Sequence, residues 1–296
     1  MKNNLDERLK HLELAAKEIP PEQMLESQEN KAPQLNFVIP TELVDLPSMG
    51  LFYEEGHPLK NKDVIEIKQM TAKEEDILTN KSFIKKGVVI DRLIESLLID
   101  KSIDVSSILV GDKNAIMVAA RKSAYGAKYD VTMICQECGA KSTMDVDLNN
   151  VATISTDHIE ALASTDPTLV HTRLDSGNIL IKLPKTNWFV ECKMLTGKDE
   201  KKMLALLDIK RKVDPAAEIT LSEQLSSIVE AINTFTDRAK IIEAIQYMPA
   251  YDAKYLRTVY QKLIPNVKIQ KYFSCGSCGI GQEVEVPFTQ EFFWPK

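Results

Sequence analysis

Apolar residues recur along this chain with two different periods, and the change from one to the other marks out its elements. Leu5, Leu9, Leu12, Ala16 and Ile19 form a helical stripe with charged residues between them, and Pro20 and Pro21 end it. Residues 20 to 36 are polar and proline-containing and read as a linker. The expected division is therefore 1–36, an amphipathic helix with a flexible linker, and 37–296, one α+β domain. A helix on a tether suits docking to a partner, with Leu5, Leu9 and Leu12 as contacts. Folding back on its own domain is the other reading.

From Phe37 to Leu59, Pro40, Pro47, Gly50, Gly56 and Pro58 make the chain extended and turning. Val64–Ile67 reads as a strand. Thr71-Ala72-Lys73-Glu74 is a capping-box sequence, so a helix should run from there to about Asn80. Helices are also expected over Val88–Ile99 and over about Lys113–Ala124, with Gly126 as a stop. Residues 150 to 167 show no clear period. Leu169–Leu174 and Ile179–Leu183 flank the turn sequence Asp175-Ser176-Gly177-Asn178 and suggest a hairpin. Phe189–Met194 adds a strand. Helices are expected at about 197–211, 222–234, 237–246 and 251–263, with Asp237 as an N-cap.

Two alternating segments interrupt this order, and each runs into a cysteine pair. Tyr129–Ile134 leads into Cys135-Gln136-Glu137-Cys138-Gly139, and Val267–Ser274 leads into Cys275-Gly276-Ser277-Cys278-Gly279. Alternation resumes after both, giving hairpins near 129–148 and 267–287 with cysteines at their tips. Two residues between thiolates let both sulfurs reach one ion from a tight turn. The trailing glycine permits a positive φ and lets backbone N–H groups approach sulfur. Cys135, Cys138, Cys275 and Cys278 are thus the ligand set expected of one structural zinc ion. A metal-free knuckle pair and an iron–sulfur site are the alternatives. A redox C-x-x-C opens a helix after a strand, whereas these sit inside hairpins. The fold class expected is α+β, with zinc-ribbon-like hairpins bracketing a mainly helical insert and a tethered N-terminal helix.

Composition narrows the function. Of 296 residues, 44% are hydrophobic and 27% charged, as in ordinary globular chains, and the net charge is −6. That charge argues against binding nucleic acid through phosphate neutralisation. No apolar run reaches the ~18 residues a membrane span needs, and Met1–Glu7 lacks the apolar core of a signal peptide. A reducing compartment is expected, where C-x-x-C pairs hold metal in preference to forming disulfides. Cys192 reads as a small buried residue. His11, His57, His158 and His171 stand in no ligand pattern and read as surface residues. No G-x-S-x-G or phosphate-binding loop occurs. Four cysteine ligands leave no open position for substrate, so the expected protein is not an enzyme and has no small-molecule substrate.

The chain closes on Phe288-Thr289-Gln290-Glu291-Phe292-Phe293-Trp294-Pro295-Lys296. Phe292, Phe293 and Trp294 either pack on their own domain or anchor into a partner.

Several words of the sequence, in order, carry a family resemblance. They are Leu46-Pro47-Ser48-Met49-Gly50-Leu51-Phe52-Tyr53, Met70-Thr71-Ala72-Lys73-Glu74-Glu75-Asp76-Ile77-Leu78, Ile84-Lys85-Lys86-Gly87 with Val89-Ile90-Asp91, and Gly111-Asp112-Lys113-Asn114. The two knuckles follow, then Met248-Pro249-Ala250-Tyr251-Asp252 with Tyr255-Leu256-Arg257, and the Phe292-Phe293-Trp294-Pro295 ending. Over roughly residues 40 to 296 the chain resembles the baseplate hub protein family of T-even-like contractile-tailed phages. The resemblance implies a non-enzymatic hub component or assembly factor. It would bind other tail proteins, in the virion baseplate and in the host cytoplasm during assembly. It maps the family's cysteine pairs onto Cys135, Cys138, Cys275 and Cys278 and transfers no catalytic residue. The competing reading is a zinc-ribbon adaptor that binds nucleic acid or a polymerase.

Overall fold

The computed structural model describes residues 39–165, 171–286 and 290–293. The expected helix at 5–19, its linker and Trp294 lie outside the described residues. Strand β1 (Thr41–Asp45) pairs antiparallel with β2 (Val64–Lys68). The turns between them include Gly50, whose φ of 69° suits glycine and whose missing side chain lets the backbone of Leu59–Lys62 close in.

Helix α1 (Ala72–Thr79) starts at the expected capping box: Glu74 Oε2 accepts from the Thr71 N–H at 3.0 Å and from its hydroxyl at 2.6 Å. A second short helix, α2 (Lys81–Lys85), follows, capped by Asn80 Oδ1. Lys81 and Lys85 lie on this helix, and Lys86 is its C-cap. Helices α3 (Val89–Leu97) and α4 (Val110–Tyr125) come next. The apolar stripe of α3 buries Val89, Leu93, Ile94 and Leu97, and Gly126 closes α4 with φ 82°.

The first cysteine hairpin is β3 (Lys128–Ile134) with β4 (Lys141–Asp147). The unassigned stretch after it forms β5 (Ala152–Ile154) and α5 (Thr156–Thr165). Next come β6 (His171–Arg173), β7 (Ile179–Lys182), β8 (Phe189–Cys192), α6 (Gly197–Val213) and α7 (Leu221–Ile228). The insert ends with β9 (Val229–Ile232), α8 (Arg238–Tyr247) and α9 (Ala250–Leu263). The second hairpin is β10 (Asn266–Ser274) with β11 (Gly281–Val286), and β5 pairs along the start of β10.

The insert holds helices α5 to α9 and, beside them, strands β6-β7-β8-β9, which make a four-stranded antiparallel sheet that the sequence reading did not assemble. The helix expected over 222–234 stops at Ile228, and Val229–Ile232 turns into the edge strand of that sheet. Pairing of this Val- and Ile-containing run with β8 outweighs its helical spacing, and Asn233 leaves it with φ 53°.

Buried polar groups tie the elements together. Asp112 on α4 is fully buried and accepts from the Ser48 N–H at 3.1 Å, the Ser48 hydroxyl at 2.6 Å and the Tyr53 hydroxyl at 2.8 Å. Glu74 also takes Lys68 Nζ at 2.7 Å and the Ser96 hydroxyl at 2.6 Å. Asp252 at the start of α9 accepts the backbone N–H groups of Lys185 and Thr186 at 2.9 and 2.8 Å. A Cβ on Gly111 would overlap the Pro265 carbonyl oxygen, so α4 lies directly against the entry to β10. Several of the words behind the family resemblance thus hold these contacts: Ser48, Tyr53, Glu74, Gly111, Asp112 and Asp252. They are words of folding.

The closing turn, Gln290–Phe293, brings Phe292 and Phe293 into the main core, where both are fully buried. Phe292 meets Tyr129 edge-on at 5.1 Å, and the Arg121 guanidinium stands 5.2 Å from the Tyr129 ring and 5.8 Å from Phe292. These two phenylalanines pack on their own domain.

Candidate metal centre

Both cysteine hairpins turn in the same way. In the first, the Cys135 N–H donates to Ala140 O and the Gly139 N–H to Cys135 O, each at 2.9 Å. In the second, Cys275 donates to Ile280 O and Gly279 to Cys275 O, again at 2.9 Å. Gly139 and Gly279 hold φ values of 70° and 73°, the left-handed region that glycine occupies at least cost. Each turn aims two thiols off the end of its hairpin.

The two pairs meet. Cys135 Sγ lies 3.7 Å from Cys278 Sγ, Cys138 Sγ lies 3.6 Å from Cys275 Sγ, and all four sulfurs lie within 4.8 Å of one another. A tetrahedral ion with ~2.3 Å bonds to sulfur needs sulfur–sulfur edges of about 3.8 Å. A disulfide needs ~2.05 Å, and all four cysteines are free thiols. Distance and donor chemistry are therefore compatible with a metal held by four thiolates.

The first cysteine of each pair is buried and the second exposed. Cys135 and Cys275 pack with Phe273, against Met133, Met144 and Val284 of the flanking strands. Lys271 on β10 reaches across to the Asp145 carboxylate of β4 at 3.7 Å and also bonds its carbonyl oxygen. The hairpins are thus joined by an apolar seam and an ion pair as well as by their tips.

The thiols divide electrostatically. Backbone N–H groups of Cys278 and Ser277 directed at the Cys275 sulfur bring its pKa down to about 6. At Cys138 the Ala140 N–H pulls the same way, but the neighbouring thiols outweigh it and push the value up to about 12. Cys278 is raised as well, with its neighbouring thiols outweighing the Ile280 N–H. One thiolate forms readily in this cluster and then resists the next, since like charges this close oppose one another. A divalent cation removes that opposition.

The tips carry little that would read nucleic acid. Gln136, Glu137, Gly276 and Ser277 supply no cation, and Lys271 is committed to Asp145. Tyr272 is exposed, whereas Phe273 is buried.

A separate open cleft of about 820 Å³ includes His57, Ser107, Lys193, Asp199 and Glu230. His57 is half-buried at this cleft and stacked on Tyr53 at 4.3 Å. Its Nε2 lies 2.8 Å from Ser107 Oγ, the outline of a base and a nucleophile. The other ring nitrogen decides the question. Nδ1 accepts the Leu59 N–H at 3.1 Å, so the ring proton sits on Nε2 and points at Ser107. Ser107 in turn donates to Asp104 O at 2.6 Å. A histidine wired this way cannot take the serine proton, and burial lowers its pKa, favouring the neutral ring. Lys193 is paired with Asp199 and Glu230, each at 3.0 Å.

Leu5, Leu9, Leu12 and Trp294 lie outside the described residues. No described helix is long and apolar enough to cross a membrane. Sequence reasoning missed the apolar seam beneath the cysteines, although the alternation of Met133, Phe273 and Val284 with polar neighbours is visible in the strands.

A family model described as T4 bacteriophage base plate protein matches residues 53–294, which is more than half of the 296 residues. No curated protein matches the chain, and no solved structure matches it.

Proposed function

We propose that this chain, which belongs to the T4 bacteriophage base plate protein family, is a non-enzymatic part of the baseplate hub or an assembly factor for it. It acts through contacts with other tail proteins, in the virion tail and in the host cytoplasm while tails are built. The observation that carries the reading is the family match over residues 53–294. A role in the tail as a structural component follows from the family. Placement at the hub, and the choice between resident component and assembly factor, belong to the proposal.

Within that role, the four thiols hold one zinc ion as a clasp. Cys135, Cys138, Cys275 and Cys278 supply four ligands, and a tetrahedral site filled by protein has no position left for water or substrate. When bound, the ion supplies cross-linking and charge neutralisation. The Ser–His pair in the cleft supports the non-enzymatic reading, because its hydrogen bonds run in the wrong direction for a nucleophile. The cation-free knuckle tips speak against the nucleic-acid adaptor.

Quantitative mass spectrometry of purified virions tests the reading. A defined copy number identifies a resident component. Absence from virions, with baseplates failing to form when the gene is removed, identifies an assembly factor. Absence from virions with normal baseplates would overturn both.

A further inference from the structure

Strand β1 has β2 on one side and an open groove on the other. The groove has a volume of about 590 Å³. Its floor is Ala115, Val118 and Ala119 of α4, and Val151 and Thr153 form the far wall at β5. One end is shut where Thr156 donates to the carbonyls of Pro47 and Ser48, each at 3.1 Å.

Among the described residues, the edge facing this groove is a free strand edge. Gln69 N–H donates to Pro40 O, and Leu46 N–H donates to Asp63 O. Antiparallel ladders alternate by two residues, so Glu42 and Val44 bond to β2, and the N–H and C=O groups of Thr41, Leu43 and Asp45 point the other way. No described strand other than β2 pairs with β1. Leu43 is 69% exposed on it. An unpaired edge beside a groove with a small-residue floor is a template for an added strand.

Charge selects what could fill it. Glu42, Asp45 and Asp63 line the groove, and Lys122 is the only cation among the described lining residues. Glu42 Oε1 is buried and has no hydrogen-bond partner. Burying a carboxylate oxygen without a donor is costly, and a cation in the groove would relieve it.

We propose that this groove takes an extended, basic segment of a partner protein, which adds as a strand to the free edge of β1. Main-chain bonds to Thr41, Leu43 and Asp45 hold the segment. Lysine or arginine at alternate positions meets Glu42 and Asp63, which share one face of the sheet, and a polar residue between them faces Asp45 on the other. The inference rests on the reading that the chain works through protein contacts, and it names one surface and the chemistry that surface takes.

The test uses the full-length chain and a labelled synthetic peptide in which lysine alternates with valine and threonine, followed by fluorescence anisotropy. A second peptide carries glutamate in place of lysine. The lysine peptide should bind and the glutamate peptide should not. Leu43→Pro removes an outward N–H and spares the ladder to β2, and should weaken binding by about tenfold or more. If Leu43→Pro also lowers thermal stability, the exposed pair Asp45→Lys with Asp63→Lys decides: it should lose the lysine peptide and gain the glutamate one. Equal binding of both peptides, no binding of either, or variants without effect would overturn the proposal. So would self-association of the chain that Leu43→Pro abolishes, which assigns the edge to a second copy. Failure here leaves the baseplate reading standing, since that reading is decided by particle composition.

Discussion

Cys138 Sγ and Cys275 Sγ lie 3.6 Å apart although 137 residues separate them. Everything between β4 and β10, including the four-stranded sheet and helices α5 to α9, is enclosed by this contact. Cross-linking a loop of this length removes unfolded-state entropy worth about 4–5 kcal/mol in the chain-entropy view. The site therefore has a reason to exist without any reaction to catalyse.

Asp112 should be the most sensitive polar position outside the cysteines. Its side chain satisfies the Ser48 N–H, the Ser48 hydroxyl and the Tyr53 hydroxyl. Asp112→Ala leaves three buried donors without that acceptor and should cost about 2–4 kcal/mol. Asp112→Asn keeps one acceptor oxygen and should cost less. Urea titration reads both as a lower midpoint with an unchanged slope.

Glu74 predicts an acid limb in stability. Burial opposes its charge, but hydrogen bonds from Lys68, Ser96 and Thr71 outweigh that and hold its pKa at about 2, against an ordinary value of 4.5. A carboxyl lowered on folding contributes stability above its unfolded pKa and loses it as pH falls through the folded one. The loss should fall between pH 4.5 and 2, with an upper bound of about 3 kcal/mol. Glu74→Gln should lower stability at pH 7 and flatten this limb. Denaturation midpoints at pH 7 and pH 3 compare the two proteins.

Phe292 should behave as a core residue. It is fully buried, edge-on to Tyr129 and Phe293. Phe292→Ala should destabilise the chain by about 3–5 kcal/mol. Phe292→Leu fills most of the space and should cost about 1.5 kcal/mol or less. Thermal unfolding checks the order. A Phe292→Ala protein that keeps its stability and loses only a partner would return this residue to the role of anchor.

Sequence period carried much of the fold and little of its wiring. Helix α3 and both hairpins were legible because their apolar positions repeat at 3.6 or at 2, and α4 and α8 because of the Gly126 stop and the Asp237 cap. Strand β9 was not, because Val229–Ile232 continues a helical pattern and only its partner β8 makes it a strand. Strand β5 is three residues long and exists by pairing with β10. The Ser48–Asp112 contact spans 64 residues, and no local pattern encodes it. At the candidate site, repeated C-x-x-C-G marked the four sulfurs, and the trailing glycines foretold the positive φ values found at Gly139 and Gly279. The tail was ambiguous for a physical reason: three adjacent aromatics suit a core and an interface equally well.

The most direct test of the clasp is metal content paired with proteolysis. Elemental analysis of the purified full-length chain should give about one zinc per chain, the capacity of a single four-thiolate site. Cys275→Ser should lose that ion, lower stability by several kcal/mol and open cleavage sites between β4 and β10 under limited proteolysis. A chain that carries no zinc, or a Cys275→Ser protein with unchanged metal content and protease resistance, would contradict the account.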